Sequence, residues 1–198
     1  MKIKRSLAAT LVFLILLAMV YLIHVNFFRV DVVLYGAILD GVLAVFLASA
    51  ILYTVSYFAV FNHFEKVQLI VIWLLLSYSY AISVPTVLDR SLSFYILEKI
   101  QQRGGGIKLS SFEKVFTDEY INEHRLVDVR LTEQQSSGTV VIEGDCVKLT
   151  KKGDQLATFS RYFRQHFLPK QRLLMGEYTD VLTDPFRYSK KAPDYGCQ

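Results

Sequence analysis

Charge is what the first 86 residues of this chain lack. Their bases are Lys2, Lys4, Arg5, Arg29 and Lys66, and their acids are Asp31, Asp40 and Glu65. A stretch so apolar cannot form the surface of a water-soluble domain. Cysteine is nearly absent too. Cys146 and Cys197 stand far apart and in no metal-like spacing, which excludes a cysteine-held zinc site. Both are expected as free thiols, a bridge between them requiring an oxidising compartment. Of the histidines, His24 and His63 border apolar runs, while His124 and His166 fall on predicted helices. None pairs with another at i and i+4, and none has a cysteine or acid at ligand spacing. Nucleophile-elbow, zincin and dinucleotide patterns are missing. Gly104-Gly105-Gly106 has no lysine-serine or lysine-threonine pair to close a phosphate loop, and no strand precedes it, so it reads as a turn. Asp194 and Cys197 near the end have no visible partners. The sequence therefore points away from an enzyme, and no catalytic residue, cofactor or metal is expected.

What is present begins with apolar runs. Residues 6–28, 33–61 and 67–85 are each long enough to cross a bilayer as a helix. Lys2, Lys4 and Arg5 ahead of the first run resemble the start of a signal peptide. The apolar core is too long for one, however, and no small-residue cleavage site precedes His24. In the second run Ala37, Gly41, Ala44 and Ala48 form a small-residue face, the kind that lets helices approach closely in lipid. Asp40 lies inside the same run. An acid there is either functional or held at the interface or within the bundle. Trp73 and the patch Ser77, Tyr78, Ser79 and Tyr80 mark the third run, and Pro85 marks its bend or end. Only Asn62-His63-Phe64-Glu65-Lys66 separates runs two and three, which predicts a helical hairpin.

Beyond residue 88 the composition becomes that of a soluble domain. Asp89 to Gln102 predicts a helix with Asp89 as N-cap and Leu92, Ile96 and Ile100 on its buried face. Ser110 and Ser111 followed by Glu113 predict a capped second helix with Phe112, Val115 and Phe116 inward. Asn122 to Arg125 opens a third, with Leu126, Val129 and Leu131 inward. Thr139 to Ile142 reads as a strand, Glu143-Gly144-Asp145 as a hairpin turn, and Cys146 to Thr150 as a second strand burying Val147 and Leu149. That strand stops at Lys152-Gly153. Leu156, Phe159, Phe163 and Phe167 then recur at the spacing of one helical stripe.

Helix, helix, helix, strand, turn, strand, helix is an order that resembles the winged-helix domain over residues 89–168, with Gly106-Ile107-Lys108 in the place of its short first strand. The fold class expected is thus an α-helical membrane anchor of three transmembrane helices (residues 1–88) plus a small α+β winged-helix-like domain. Residues 169–198 form a tail with scattered Tyr178, Phe186, Tyr188 and Tyr195.

The resemblance implies DNA contact by the third helix and wing, for which Arg125, Arg130, Lys148, Lys151 and Lys152 are the candidates. The charge pattern points the other way. Glu123, Asp128 and Glu133 interrupt the helix, and Glu143 and Asp145 sit at the tip of the wing. A non-enzymatic, membrane-anchored adaptor that binds a protein partner or forms a homo-oligomer is therefore favoured. The alternatives are a membrane-tethered transcription regulator and an accessory subunit of an envelope-polymer synthesis or transport complex. Besides membrane lipid, a protein is the expected partner. The membrane expected is the bacterial inner membrane. Lys2, Lys4 and Arg5 favour a cytoplasmic N-terminus and hence an exported domain. Arg90, Lys99, Arg103 and Lys108, together with the winged-helix resemblance, favour a cytoplasmic domain, which is the expectation adopted.

Overall fold

The computed structural model describes residues 2–187 and Ser189. The chain is mostly helical and divides into two compact units, Met1–His124 and Arg125–Gln198. That division falls inside the stretch 89–168 that reads as one domain in the sequence.

Three helices in the first unit, α1 (Lys2–Phe27), α2 (Val33–Thr54) and α3 (His63–Arg90), are long and apolar enough to cross a membrane. They mark the chain as a membrane protein. At about 1.5 Å per residue α2 already matches a hydrocarbon core of about 30 Å. The surplus in the run 33–61 is spent on the reversal, including the 3₁₀ turn Ser56–Phe58. Asn62 then caps α3. Its side chain accepts from the Glu65 N–H at 2.8 Å, and Glu65 accepts from the Asn62 N–H at 2.9 Å, a reciprocal capping box.

Pro85 does not end α3. It lies inside a π segment, Ile82–Thr86, beyond which the helix continues to Arg90. Proline has no N–H for the carbonyl four residues back, but the Thr86 hydroxyl donates to that carbonyl, Ala81 O, at 2.7 Å. The next helix, α4 (Leu92–Gln102), is capped by Ser91, whose hydroxyl accepts from the Phe94 N–H; the expected cap, Asp89, lies within α3. Gly104 and Gly105 turn the chain with φ of 82° and 96°. No strand forms at Gly106-Ile107-Lys108. Helix α5 (residues 112–123) carries a second π segment, Val115–Tyr120, and lacks the serine cap bond expected at Ser111. Thr117 and Asn122 donate to the carbonyls of Glu113 and Asp118, groups that a shifted backbone ladder leaves to side chains.

In the second unit Arg125, in the left-handed region at φ 45°, precedes α6 (Leu126–Ser136), so the third helix opens later than predicted. Strands β1 (Val140–Glu143) and β2 (Cys146–Leu149) pair antiparallel, with Val140 opposite Leu149 and Glu143 opposite Cys146. Gly144, at φ 63°, takes the turn position that glycine fills at no steric cost. Helix α7 (Lys151–Phe167) follows at once. Thr150 joins strand to helix, its hydroxyl accepting from the Gly153 N–H and bonding the carbonyls of Gly138 and Thr139. Gly153, read in the sequence as a break, sits in the first turn of α7, packed on the Thr139 carbonyl where a Cβ would collide. A small hairpin, β3 (Arg172–Leu174) with β4 (Glu177–Thr179), occupies part of the predicted tail, and its turn holds Met175 and Gly176 at positive φ. Cys146 is disulfide-bonded, which corrects the expectation of a free thiol; Cys197, Asp194, Tyr188 and Tyr195 lie outside the described residues.

The three long helices share one core. Phe13 of α1 stacks on Trp73 of α3 with ring centroids 5.4 Å apart, and Ala44, Ala48 and Leu52 of α2 are buried in the same cluster. Two polar side chains inside it are satisfied within the chain. The Trp73 indole N–H donates to Thr10 Oγ1 at 3.2 Å, and Ser77 Oγ donates to the Trp73 carbonyl at 2.7 Å. At the N-terminal end of the bundle Lys2 pairs with Glu65 at 2.6 Å, and Arg5 donates to the Tyr57 carbonyl. The small-residue face Ala37, Gly41, Ala44 and Ala48 is buried inside the bundle. A Cβ on Gly41 would lie 2.6 Å from Ser77 Cβ, so α2 and α3 meet there at a distance no larger residue allows. Gly41→Leu is expected to force those helices apart, at a cost of about 1–3 kcal/mol from overpacking. The check is thermal unfolding of the purified full chain in detergent: an unchanged midpoint would mean the contact is dispensable.

Candidate functional site

The one acid deep in the membrane region is also its most confined polar group. Asp40, on the second turn of α2, is 1% exposed. Its Oδ1 lies 2.6 Å from Nδ1 of His24, near the end of α1. Its other oxygen, Oδ2, is buried with no protein partner. His24 is four residues short of Phe28, whose ring it meets edge-on at 5.9 Å. The helical reversal between Phe27 and Val33 thus brings a histidine from one span onto an acid of the next. In the sequence these residues sit sixteen apart, and His24 reads only as a border of the first apolar run.

A cavity of about 320 Å³ opens at this pair between α1 and α2. Apart from His24 and Asp40 its walls are Val20, Ile23, Phe28, Leu39 and Leu43, all apolar. A second cavity of about 190 Å³, bordered by Gly36 and Val30, also reaches Asp40. Chemically the site offers a carboxylate oxygen that can accept a hydrogen bond, in a pocket that otherwise rejects polar atoms. Among the described residues no group of three histidines, cysteines or acids could hold a metal ion.

The five basic candidates of the second unit are largely engaged by their own chain. Arg125 meets Asp128 at 2.8 Å, Arg130 meets Glu133 at 2.8 Å, and Lys148 meets Glu143 at 2.7 Å. Lys152 Nζ donates to the Ser137 carbonyl at 2.6 Å, which ties the start of α7 to the end of α6. Lys151 is exposed.

The apolar face of that unit is exposed rather than buried. Leu149 is 58% exposed, Phe159 62% and Phe163 42%; Val129, Val147, Leu156 and Phe167 are exposed too. The predicted stripe on α7 is real as a pattern, since Phe159, Phe163 and Phe167 touch ring to ring along it. The burial expected for it and for Val147, Leu149 and Val129 does not occur among the described residues.

A cluster that the sequence reading missed fastens α4 to α5. Lys99, 4% exposed, lies 2.6 Å from both Glu119 and Glu123; Arg103 meets Glu119 at 2.9 Å, and the Tyr95 hydroxyl donates to Glu123 at 3.0 Å. Tyr95 also packs on the Tyr120 and His124 rings. The buried face of α4 is therefore Tyr95 and Lys99, not Leu92, which is exposed. Hydrogen bonds donated to Glu119 and then to Glu123 raise Lys99 above the usual lysine range. The Lys99 bond in turn holds each glutamate below the usual carboxylate range, Arg103 adding to it at Glu119. Burial, then the Glu123 bond, pushes the Tyr95 hydroxyl up.

No protein-family model matches this chain, and neither curated proteins nor solved structures give a match to it.

The cluster predicts a pH window. Depressed glutamates contribute stability that is present above the ordinary carboxylate range and lost as pH falls through their folded values. A raised lysine contributes stability that is present below the ordinary lysine range and lost as pH rises through its folded value. The α4–α5 pair should therefore loosen in acid. Lys99→Met should abolish most of that acid sensitivity, and should weaken the pair already at about pH 7 by leaving Glu119 and Glu123 without their shared cation. Hydrogen exchange of the 92–123 amides across the pH range, in both proteins, checks this; parallel curves would refute it.

Proposed function

We propose that the chain is a membrane-anchored, non-enzymatic interaction module whose C-terminal unit docks another protein through the apolar face of α7. One observation carries this: the stripe Leu156, Phe159, Phe163 and Phe167 lies uncovered on a strongly two-faced helix. Isolated exposed apolar residues are ordinary, but a contiguous aromatic row is a recognition surface. The order of elements across 89–168, α4, α5 and α6, then the β1–β2 hairpin, then α7, is what supports the winged-helix resemblance. The DNA-binding alternative draws less support, because Arg125, Arg130 and Lys148 each spend their charge on a neighbouring acid. A subunit of an envelope-polymer or transport assembly is the setting in which such a module fits.

For orientation we infer an inner-membrane protein with a cytoplasmic N-terminus and an exported C-terminal unit. Lys2, Lys4 and Arg5 support it through the positive-inside rule, and three crossings place the ends on opposite sides. The disulfide on Cys146 supports it as well, since such bonds persist in oxidising compartments. Arg90, Lys99, Arg103 and Lys108 favour the opposite orientation, with a cytoplasmic domain.

Two measurements test these readings. A photo-crosslinking amino acid at Phe163 in the full chain, in living cells, should give a discrete adduct with another protein, whereas one at Lys151 should not. Equal labelling at both positions, or none at Phe163, would remove the docking face. Alkaline phosphatase fused after Gln198 should be active, and an inactive but stable fusion would return the domain to the cytoplasm.

A further inference from the structure

We propose that the His24–Asp40 cleft is a binding site for a neutral lipid bearing a free hydroxyl, of the diacylglycerol class, with an acyl chain between α1 and α2 and its hydroxyl donating to Asp40 Oδ2. Asp40 is nearly sealed from its surroundings, yet one of its oxygens is unpartnered. In hydrocarbon a buried acceptor without a donor is costly, and water is scarce at that depth. The group that meets it must therefore bring an N–H or O–H in with apolar company.

Desolvation selects between the two. The 2.6 Å contact with His24 occupies Oδ1, which leaves Oδ2 as the acceptor to be filled. An ammonium head group would have to give up a full hydration shell to reach it, whereas a hydroxyl fills the acceptor at little desolvation cost. Position agrees. Asp40 is seven residues into α2, roughly 10 Å below its start and inside the hydrocarbon, a depth that a neutral hydroxyl reaches at far less cost than a phosphate. Shape agrees as well. The cleft of about 320 Å³ falls in the size range of small-molecule sites, and its remaining walls are aliphatic or aromatic. Ile23 and Leu39, on its rim, are exposed outside the helical core and so face lipid, which gives a chain a lateral way in.

The test uses the full chain purified in detergent, with the unfolding midpoint followed by circular dichroism. Dioctanoylglycerol is the probe, and its 3-O-methyl ether, with the same chains and no donor, is the control. The alcohol should raise the midpoint saturably and the ether should not. Asp40→Leu, which removes the acceptor, and Leu43→Trp, which fills the cleft while leaving the pair intact, should each abolish the shift. If Asp40→Leu does not fold, Leu43→Trp and the ether still decide the matter. Equal shifts from alcohol and ether would reduce the cleft to a greasy slot. A shift that survives Leu43→Trp would place the lipid elsewhere, and no shift with the alcohol, or a response to phosphatidylethanolamine instead, would overturn the assignment.

Discussion

Everything in the membrane part depends on how near α2 can come to its neighbours, and that is set at Gly41. With only hydrogen facing Ser77, the two helices close to a distance at which dispersion contacts are dense. Lipid tails are as apolar as leucine, so no hydrophobic force would draw these helices together in their absence. The tight seam is flanked by alanines, and it leaves the bulky partners, Phe13 and Trp73, to fill the space between α1 and α3. Even the hydroxyl that Gly41 touches is used, since Ser77 returns its proton to the backbone of its own helix.

The same economy governs the helices that leave the membrane, through different chemistry. Between α4 and α5 the Tyr95, Tyr120 and His124 rings pack together, and a lysine clasped by two glutamates adds to the hold. Removing water from one ammonium is tolerable there because both carboxylates that receive it are already fixed, Glu119 by Arg103 and Glu123, through its other oxygen, by Tyr95. The π segments in α3 and α5 share a logic as well. Each shifts the backbone ladder, and in each a nearby threonine or asparagine supplies a donor to a carbonyl on the same helix.

Much of this could be read from residue order, and the reasons for the misses are specific. The three spans, the short link at Asn62 and the Gly41 face follow from local periodicity and length. So do the hairpin turn at Gly144 and the stripe on α7. Burial does not, because periodicity says which residues share a face but not whether anything covers it; Leu149 and Phe163 were misplaced for that reason. The boundary of α3 was missed because Pro85 normally ends a helix, and the rescue by Thr86 depends on a π shift that leaves no pattern. His24 and Asp40 meet only after a chain reversal, so their partnership is a tertiary fact. The Lys99 cluster was legible in principle: Lys99 and Arg103, then Glu119 and Glu123, are two i, i+4 pairs of opposite sign on successive helices.

The second unit has one further property that its geometry entails. Its hairpin and helix are joined by hydrogen bonds around Thr139, Thr150 and Gly153, with no large apolar side chain buried among the described residues of that unit. Each such bond contributes only about 0.5–1.5 kcal/mol net, and the disulfide on Cys146 adds a covalent tie. Proteases act on the open fraction, and any protein that covers the aromatic row shrinks that fraction by mass action. A copy whose proposed docking face is covered would thereby outlive one whose face is bare. Surplus copies would be cleared while engaged ones persist, and the amount retained would be set by stoichiometry rather than by synthesis.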